Sequence, residues 1–124
     1  MTDRPKLTIT TVNIGAPDPS ALARFYSDLV GWPITVDEPG WVVIRDPGGG
    51  VGLSFQEETE YVRPLWPARR DAQQMMLHLE VRVDDLPAAV AHAEAAGATL
   101  ADFQPQDAVR VMLDPAGHPF CLYL

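Results

Sequence analysis

The chain has 124 residues, 47% of them hydrophobic and 21% charged, with a formal net charge of −8 and one cysteine, Cys121. A chain of this length buries a core without staples, a lone cysteine forbids an intrachain disulfide, and the acidic balance argues against nucleic acid, whose phosphates call for a basic stripe. No apolar run approaches the roughly 20 residues of a membrane span, and MTDRPKLT at the start has no signal-peptide core, so a single cytoplasmic domain is expected.

Residues Leu7 to Ile14, LTITTVNI, are rich in β-branched side chains and read as a strand. Val12 and Ile14 fall on its buried parity, Thr11 and Asn13 on the other. Asp18 then caps a helix predicted over 18–30, with Pro19 in the first turn and Leu22, Phe25, Tyr26 and Leu29 forming an apolar stripe that Gly31 ends. Short strands follow around Ile34 to Val36, Trp41 to Arg45 and Gly52 to Gln56, separated by Glu-Pro-Gly and Asp-Pro-Gly-Gly-Gly turns. The order is β-α-β-β-β.

Residues 57–74 break the pattern: no period persists, and Pro64 and Pro67 flank Leu65 and Trp66. The stretch is a connector or a ligand-covering lid, with Trp66 expected over an apolar pocket of the first module. From Met76, MLHLEVRV alternates again, with Leu77, Leu79, Val81 and Val83 on the buried parity and His78, Glu80 and Arg82 opposite. Asp85 caps a helix predicted over 85–97, Pro87 sits in its first turn, and Gly97 ends it. Strands at Val109 to Leu113 and Phe120 to Leu124 finish the chain.

Thr11 and His78 are 67 residues apart, as are Asp18 and Asp85, and the turn RDPGGG at Arg45 to Gly50 returns as LDPAGH at Leu113 to His118. This is an internal duplication. It predicts an α+β fold of two βαβββ modules, module 1 over about 6–57, a connector or lid over 58–75 and module 2 over about 76–124. Leu22, Phe25, Leu29, Leu79, Val81, Val90, Phe120 and Leu122 are the expected core.

The chemistry on offer is sparse. His78, Glu80, Arg82, Arg110 and Met112 are assigned to an inward-facing parity, where His78 contacts a ligand or serves as a hydrogen-bonded wall. Cys121 is read as packing and His118 as making a local bond in its turn; His92 falls on the helix surface. No nucleophile triad, phosphate-binding loop or CxxC motif is present. Trp41, Phe55, Tyr61, Trp66 and Tyr123 offer stacking surface.

The duplicated unit, FYSDLVGW, HLEVRVDDL and DPAGHPFCL resemble the vicinal oxygen chelate superfamily, which includes glyoxalase I, extradiol dioxygenases, fosfomycin-resistance proteins and bleomycin-binding proteins. The likeness is greatest to its small glyoxalase-like members. It implies a curved, cup-shaped mixed sheet with helices on the outer face, a small-molecule ligand and a homodimer. In metal-dependent members a His or Gln stands seven residues before the capping Asp; His78 matches and Thr11 departs. Cys121 stands where those members place Glu, and its first-module counterpart is Leu53, or Ser54 after a one-residue slip. The expectation is therefore no metal and no cofactor, with an aromatic or cationic metabolite or antibiotic held by Thr11, Asn13, Trp41, Phe55, Trp66, His78, Arg110 and Cys121. Two alternatives stand beside it: a lyase or isomerase using His78 and Glu80 for proton transfer, and an interaction subunit that has lost its site.

Overall fold

A computed structural model describes residues 4–124. The first module runs β1 (Thr11–Ala16), α1 (Pro19–Val30), β2 (Ile34–Glu38), β3 (Trp41–Ile44) and β4 (Gly52–Glu57). The second runs β5 (Leu79–Arg82), α2 (Leu86–Ala96), β6 (Thr99–Leu100), β7 (Val109–Leu113) and β8 (Pro119–Tyr123). Each module makes an open four-stranded mixed sheet, ordered β1-β4-β3-β2 and β5-β8-β7-β6, whose first and last strands pair in parallel. The fold is α+β, two like modules with neither sheet closed.

The duplication extends to register. Val12 pairs with Leu53, Asn13 with Ser54 and Ile14 with Phe55; 67 residues on, Leu79 pairs with Phe120, Glu80 with Cys121 and Val81 with Leu122. Both helices start on the expected caps. The Asp18 carboxylate accepts from Ala21 N at 3.1 Å and that of Asp85 from Ala88 N at 3.0 Å, each satisfying an amide that the helix leaves free. Gly31, at φ +76°, closes α1 in the left-handed conformation that suits glycine.

One core serves both modules. Leu22, Phe25 and Tyr26 of α1 meet Phe55 of the first sheet and Phe120 and Leu122 of the second, all nearly inaccessible to solvent. The Tyr26 ring stacks on Phe55 at 5.8 Å and Phe25 meets Phe120 at 5.9 Å. Each such ring contributes about 1.5–3 kcal/mol by leaving water. Of the expected core, Leu29, Leu79, Val81 and Val90 are only half-buried, packed against its margin.

Both opening strands start later than their sequences suggest. The first begins at Thr11 because its partner β4 begins at Gly52; before that, Gly49 and Gly50 at φ +96° and +93° belong to the preceding turn. Leu7 and Ile9 therefore stand in solvent, 82% and 77% exposed. The second begins at Leu79 because the residue that would face His78 is Pro119, which has no N–H to give. Leu77 is left 75% exposed rather than buried.

Candidate functional site

A cavity of about 490 Å³ lies between the modules. Val12, Asn13, Ile14 and Gly15 of β1 form one wall, and Met75 to Leu79 form another. The irregular connector contributes Glu58, Glu60, Tyr61, Val62 and Pro64, while Tyr26 and His118 close the inner end. The surface is mostly apolar with a few hydrogen-bonding groups, the make-up of a small-molecule site.

At that inner end four side chains from three parts of the chain are tied together. Asp114, at the end of β7, is 1% exposed. One of its oxygens, Oδ1, accepts from the amides of Ala116 and His118 at 2.9 Å each; the other, Oδ2, accepts from the Tyr26 hydroxyl at 2.8 Å. The His118 ring presents Nδ1 to the same carboxylate, 2.8 Å from Oδ2 and 3.0 Å from Oδ1. Beyond the imidazole, the Tyr61 hydroxyl lies 3.3 Å from His118 Nε2 and donates to Ala116 O at 2.7 Å. Burial, and after it the charge of Asp114, pushes the Tyr26 phenol well above its ordinary value. The same causes push Tyr61 up to about 12, against a smaller opposing effect of Arg63. Both hydroxyls are therefore donors at neutral pH.

A smaller hollow of about 300 Å³ lies on the other side of Tyr26, between α1 and β5, lined by Val30, Trp32, Leu53 and Leu79 to Arg82. Glu80 belongs to this hollow and His78 to the larger cavity.

The structure scatters the residues that sequence groups into one site. Asn13 and His78 line the main cavity. Thr11 lies on the same strand face as Asn13, and the two are joined through Ser54: Asn13 Nδ2 donates to Ser54 Oγ at 2.9 Å, and Ser54 donates to Thr11 Oγ1 at 3.2 Å. Trp41 shares this face at its far end, opposite Gln56. Phe55 lines neither hollow; it is on the other parity, wholly buried against Tyr26. Arg110 and Met112 are likewise on the core parity, opposite Leu122 and Phe120, so the parity assumed for β7 is one residue out. Met112 is buried, and the Arg110 guanidinium is held by the carbonyls of Asp107 and Val109 at 2.9 and 2.8 Å. Trp66 packs against the second module rather than the first, its indole N–H donating to Phe103 O at 3.1 Å.

Cys121 sits opposite Glu80 on the outward parity, half-buried. Burial first, then the Glu80 carboxylate, raises its thiol, which suppresses the nucleophilic thiolate. His92 reaches from α2 to Leu29 O at 3.1 Å and joins the two helices.

Tyr26 and Asp114 are the site groups that sequence reasoning missed, and Tyr61, read there as stacking surface, acts through its hydroxyl. Only the repeated Asp-Pro turn hinted at Asp114. Its bond to Tyr26 spans 88 residues, and no local pattern encodes that.

A glyoxalase-like domain family model matches residues 10–123. The chain belongs to that family. Within the glyoxalase-like domain proteins, and so within the vicinal oxygen chelate superfamily, it is similar to the anthracycline biosynthesis protein DnrV of Streptomyces peucetius, at 28% identity over 90% of this chain. The chain spans 44% of that relative's length. Among solved structures, a glyoxalase/bleomycin resistance protein/dioxygenase family enzyme from Burkholderia phytofirmans PsJN shares the fold with a TM-score of 0.69 at 21% identity, covering 94% of this chain and 97% of the other. TnmS3, an antibiotic-binding protein from Streptomyces sp. CB03234, does so with a TM-score of 0.60 at 19% identity, covering 95% of each.

Metal-dependent members of the superfamily set the test for a metal centre. The observed register makes Ser54, not Leu53, the counterpart of Cys121, and Leu53 faces the core. The corresponding positions thus hold Thr11, Ser54, His78 and Cys121, and the hydroxyls of Thr11 and Ser54 bond to each other. Among the described residues no group of three or more His, Cys, Asp or Glu side chains could hold an ion. Two neutral hydroxyls, an imidazole and a thiol held in its neutral form do not fit a hard divalent metal. Among the described residues, no helix is long and apolar enough to cross a membrane.

Proposed function

We propose that this glyoxalase-like domain binds an aromatic small molecule, an antibiotic or a metabolite of that kind, in the cavity between its modules and without a metal. The observation that carries the reading is the cavity of about 490 Å³, whose walls are largely apolar but whose inner end presents Tyr26, Tyr61 and His118, with Asn13 and His78 at its sides. Largely apolar walls with a few fixed hydrogen-bonding groups suit an aromatic, oxygen-bearing ligand. The anthracycline biosynthesis protein and the antibiotic-binding protein among its relatives support the same class. Glu58 and Glu60 on the rim favour a ligand that also carries positive charge.

Acid–base catalysis by His78 and Glu80 has less support, since the two line different hollows. The working unit in this reading is a cytoplasmic homodimer, because Leu7, Ile9, Met76 and Leu77, which lead into β1 and β5, are exposed apolar groups that a second copy would cover. Native mass spectrometry of protein purified from its own host tests the reading. The expected result is a retained organic molecule of a few hundred daltons, with no ion present in stoichiometric amount. Stoichiometric metal, lost together with any ligand on chelation, would contradict it.

A further inference from the structure

The hydrogen bonds between the connector and the 114–118 turn balance for only one charge state of His118. Asp114 accepts three donors, the Tyr26 hydroxyl and two amides, which is the pattern of a carboxylate with no proton of its own, and His118 Nδ1 lies 2.8 Å from it. Nδ1 therefore carries hydrogen. The Tyr61 hydroxyl has one proton and gives it to Ala116 O at 2.7 Å, so the 3.3 Å approach of Nε2 to the same hydroxyl is a bond only when Nε2 is also protonated. With a neutral ring, two lone pairs face one another, or Tyr61 turns its proton from Ala116 O to the ring. Either way one of the two bonds is lost.

We propose that His118 is a proton-operated latch: as imidazolium it adds a second bond that fastens Tyr61, and with it the connector wall of the cavity, to the second module, and on losing its proton it loosens that wall. The connector is well placed to respond. Tyr61, Val62 and Pro64 line the cavity, and the Arg63 guanidinium rests on the same turn, 3.5 Å from Pro115 O. Gly117 lets it approach, since a Cβ there would collide with the Arg63 side chain. The charged and titratable groups around the ring are Asp114 from its own turn, Tyr26 from α1, Tyr61 and Arg63 from the connector, and Glu58, Glu60 and His78 along the cavity. The latch does not depend on which molecule the cavity takes.

Hydrogen exchange of the full chain, corrected for the intrinsic effect of pH, tests it, with the His118 titration followed by imidazole NMR on the same sample. The Leu65 amide, which donates to Gln73 O at 2.8 Å, should lose protection by about two- to tenfold as pH rises through that titration, the loss of one hydrogen bond, while α1 stays unchanged. His118→Asn, which does not titrate, should show no step. Tyr61→Phe, which removes one hydroxyl and keeps the ring, loses both bonds, should show no step either and should exchange at least as fast as the high-pH wild type throughout. Absence of the step in the wild type, or its persistence in either variant that folds, would overturn the latch. Should His118→Asn fail to fold, Tyr61→Phe decides alone.

Discussion

Replacing Tyr26 by Phe removes a single oxygen from the bond that joins α1 to the 114–118 turn. The ring still stacks on Phe55 and still meets Phe25 edge-on at 4.8 Å, so no cavity opens and no packing is lost. What disappears is a 2.8 Å bond from a buried hydroxyl to a carboxylate that is 1% exposed. A hydrogen bond to a charged group contributes about 1.5–3 kcal/mol, and here water cannot replace the missing donor. For 124 residues, at roughly 2.1 cal/mol/K each, that is a fall in Tm of about 6–12 °C. Urea and thermal unfolding measure it directly. Asp114→Asn should cost more, because it also removes the carboxylate beside His118 and places an amide donor among the Tyr26 hydroxyl and two backbone amides. A change below about 0.5 kcal/mol for Tyr26→Phe would refute the view that this network ties the modules together, the limit being the size of an ordinary surface substitution.

Alkaline pH should weaken the fold through the same tyrosines. Their folded values are raised, so their contribution is complete below the unfolded value near 10 and is lost as pH climbs from there through about 12 for Tyr61; urea midpoints across that window, flatter in a Tyr26→Phe/Tyr61→Phe double variant, check it. Trp66→Ala should lower stability by about 1–3 kcal/mol through lost burial and the bond to Phe103 O, yet leave ligand affinity alone, because the indole is outside the cavity wall. Sedimentation at micromolar concentration should report a dimer that Ile9→Asp with Leu77→Asp dissociates; a wild-type monomer would remove the dimer from the proposal.

Local chemistry was legible in the sequence wherever a short-range rule applied. The Asp caps at Asp18 and Asp85, each with a proline in the first turn, and the glycine stops at Gly31 and Gly97 act within one turn, and each appears where its residues stand. The 67-residue duplication was legible because two strands of one pattern pair alike, down to Asn13 with Ser54 and Glu80 with Cys121. Strand beginnings were not, since they depend on where the partner strand starts: alternation continues through Leu7 and Leu77 while the ladder does not. Alternation also fails to say which parity faces the core when both carry apolar residues, as in VRVML of β7, and so Arg110 was misplaced. The site was least legible of all. Its inner end is a contact between residues 88 apart, with a connector tyrosine added from a segment without period.

The most direct test of the account is a titration of protein dialysed against EDTA with a polycyclic aromatic antibiotic panel, followed by ligand fluorescence and repeated with one equivalent of zinc, nickel or manganese. Alongside it runs Val62→Trp, which places an indole into the cavity from an exposed connector position. The account predicts saturable binding of at least one compound by the metal-free protein, no gain on adding an ion, and loss of that binding in Val62→Trp. Binding that appears only when the metal is restored, or that survives unchanged in Val62→Trp, would contradict it.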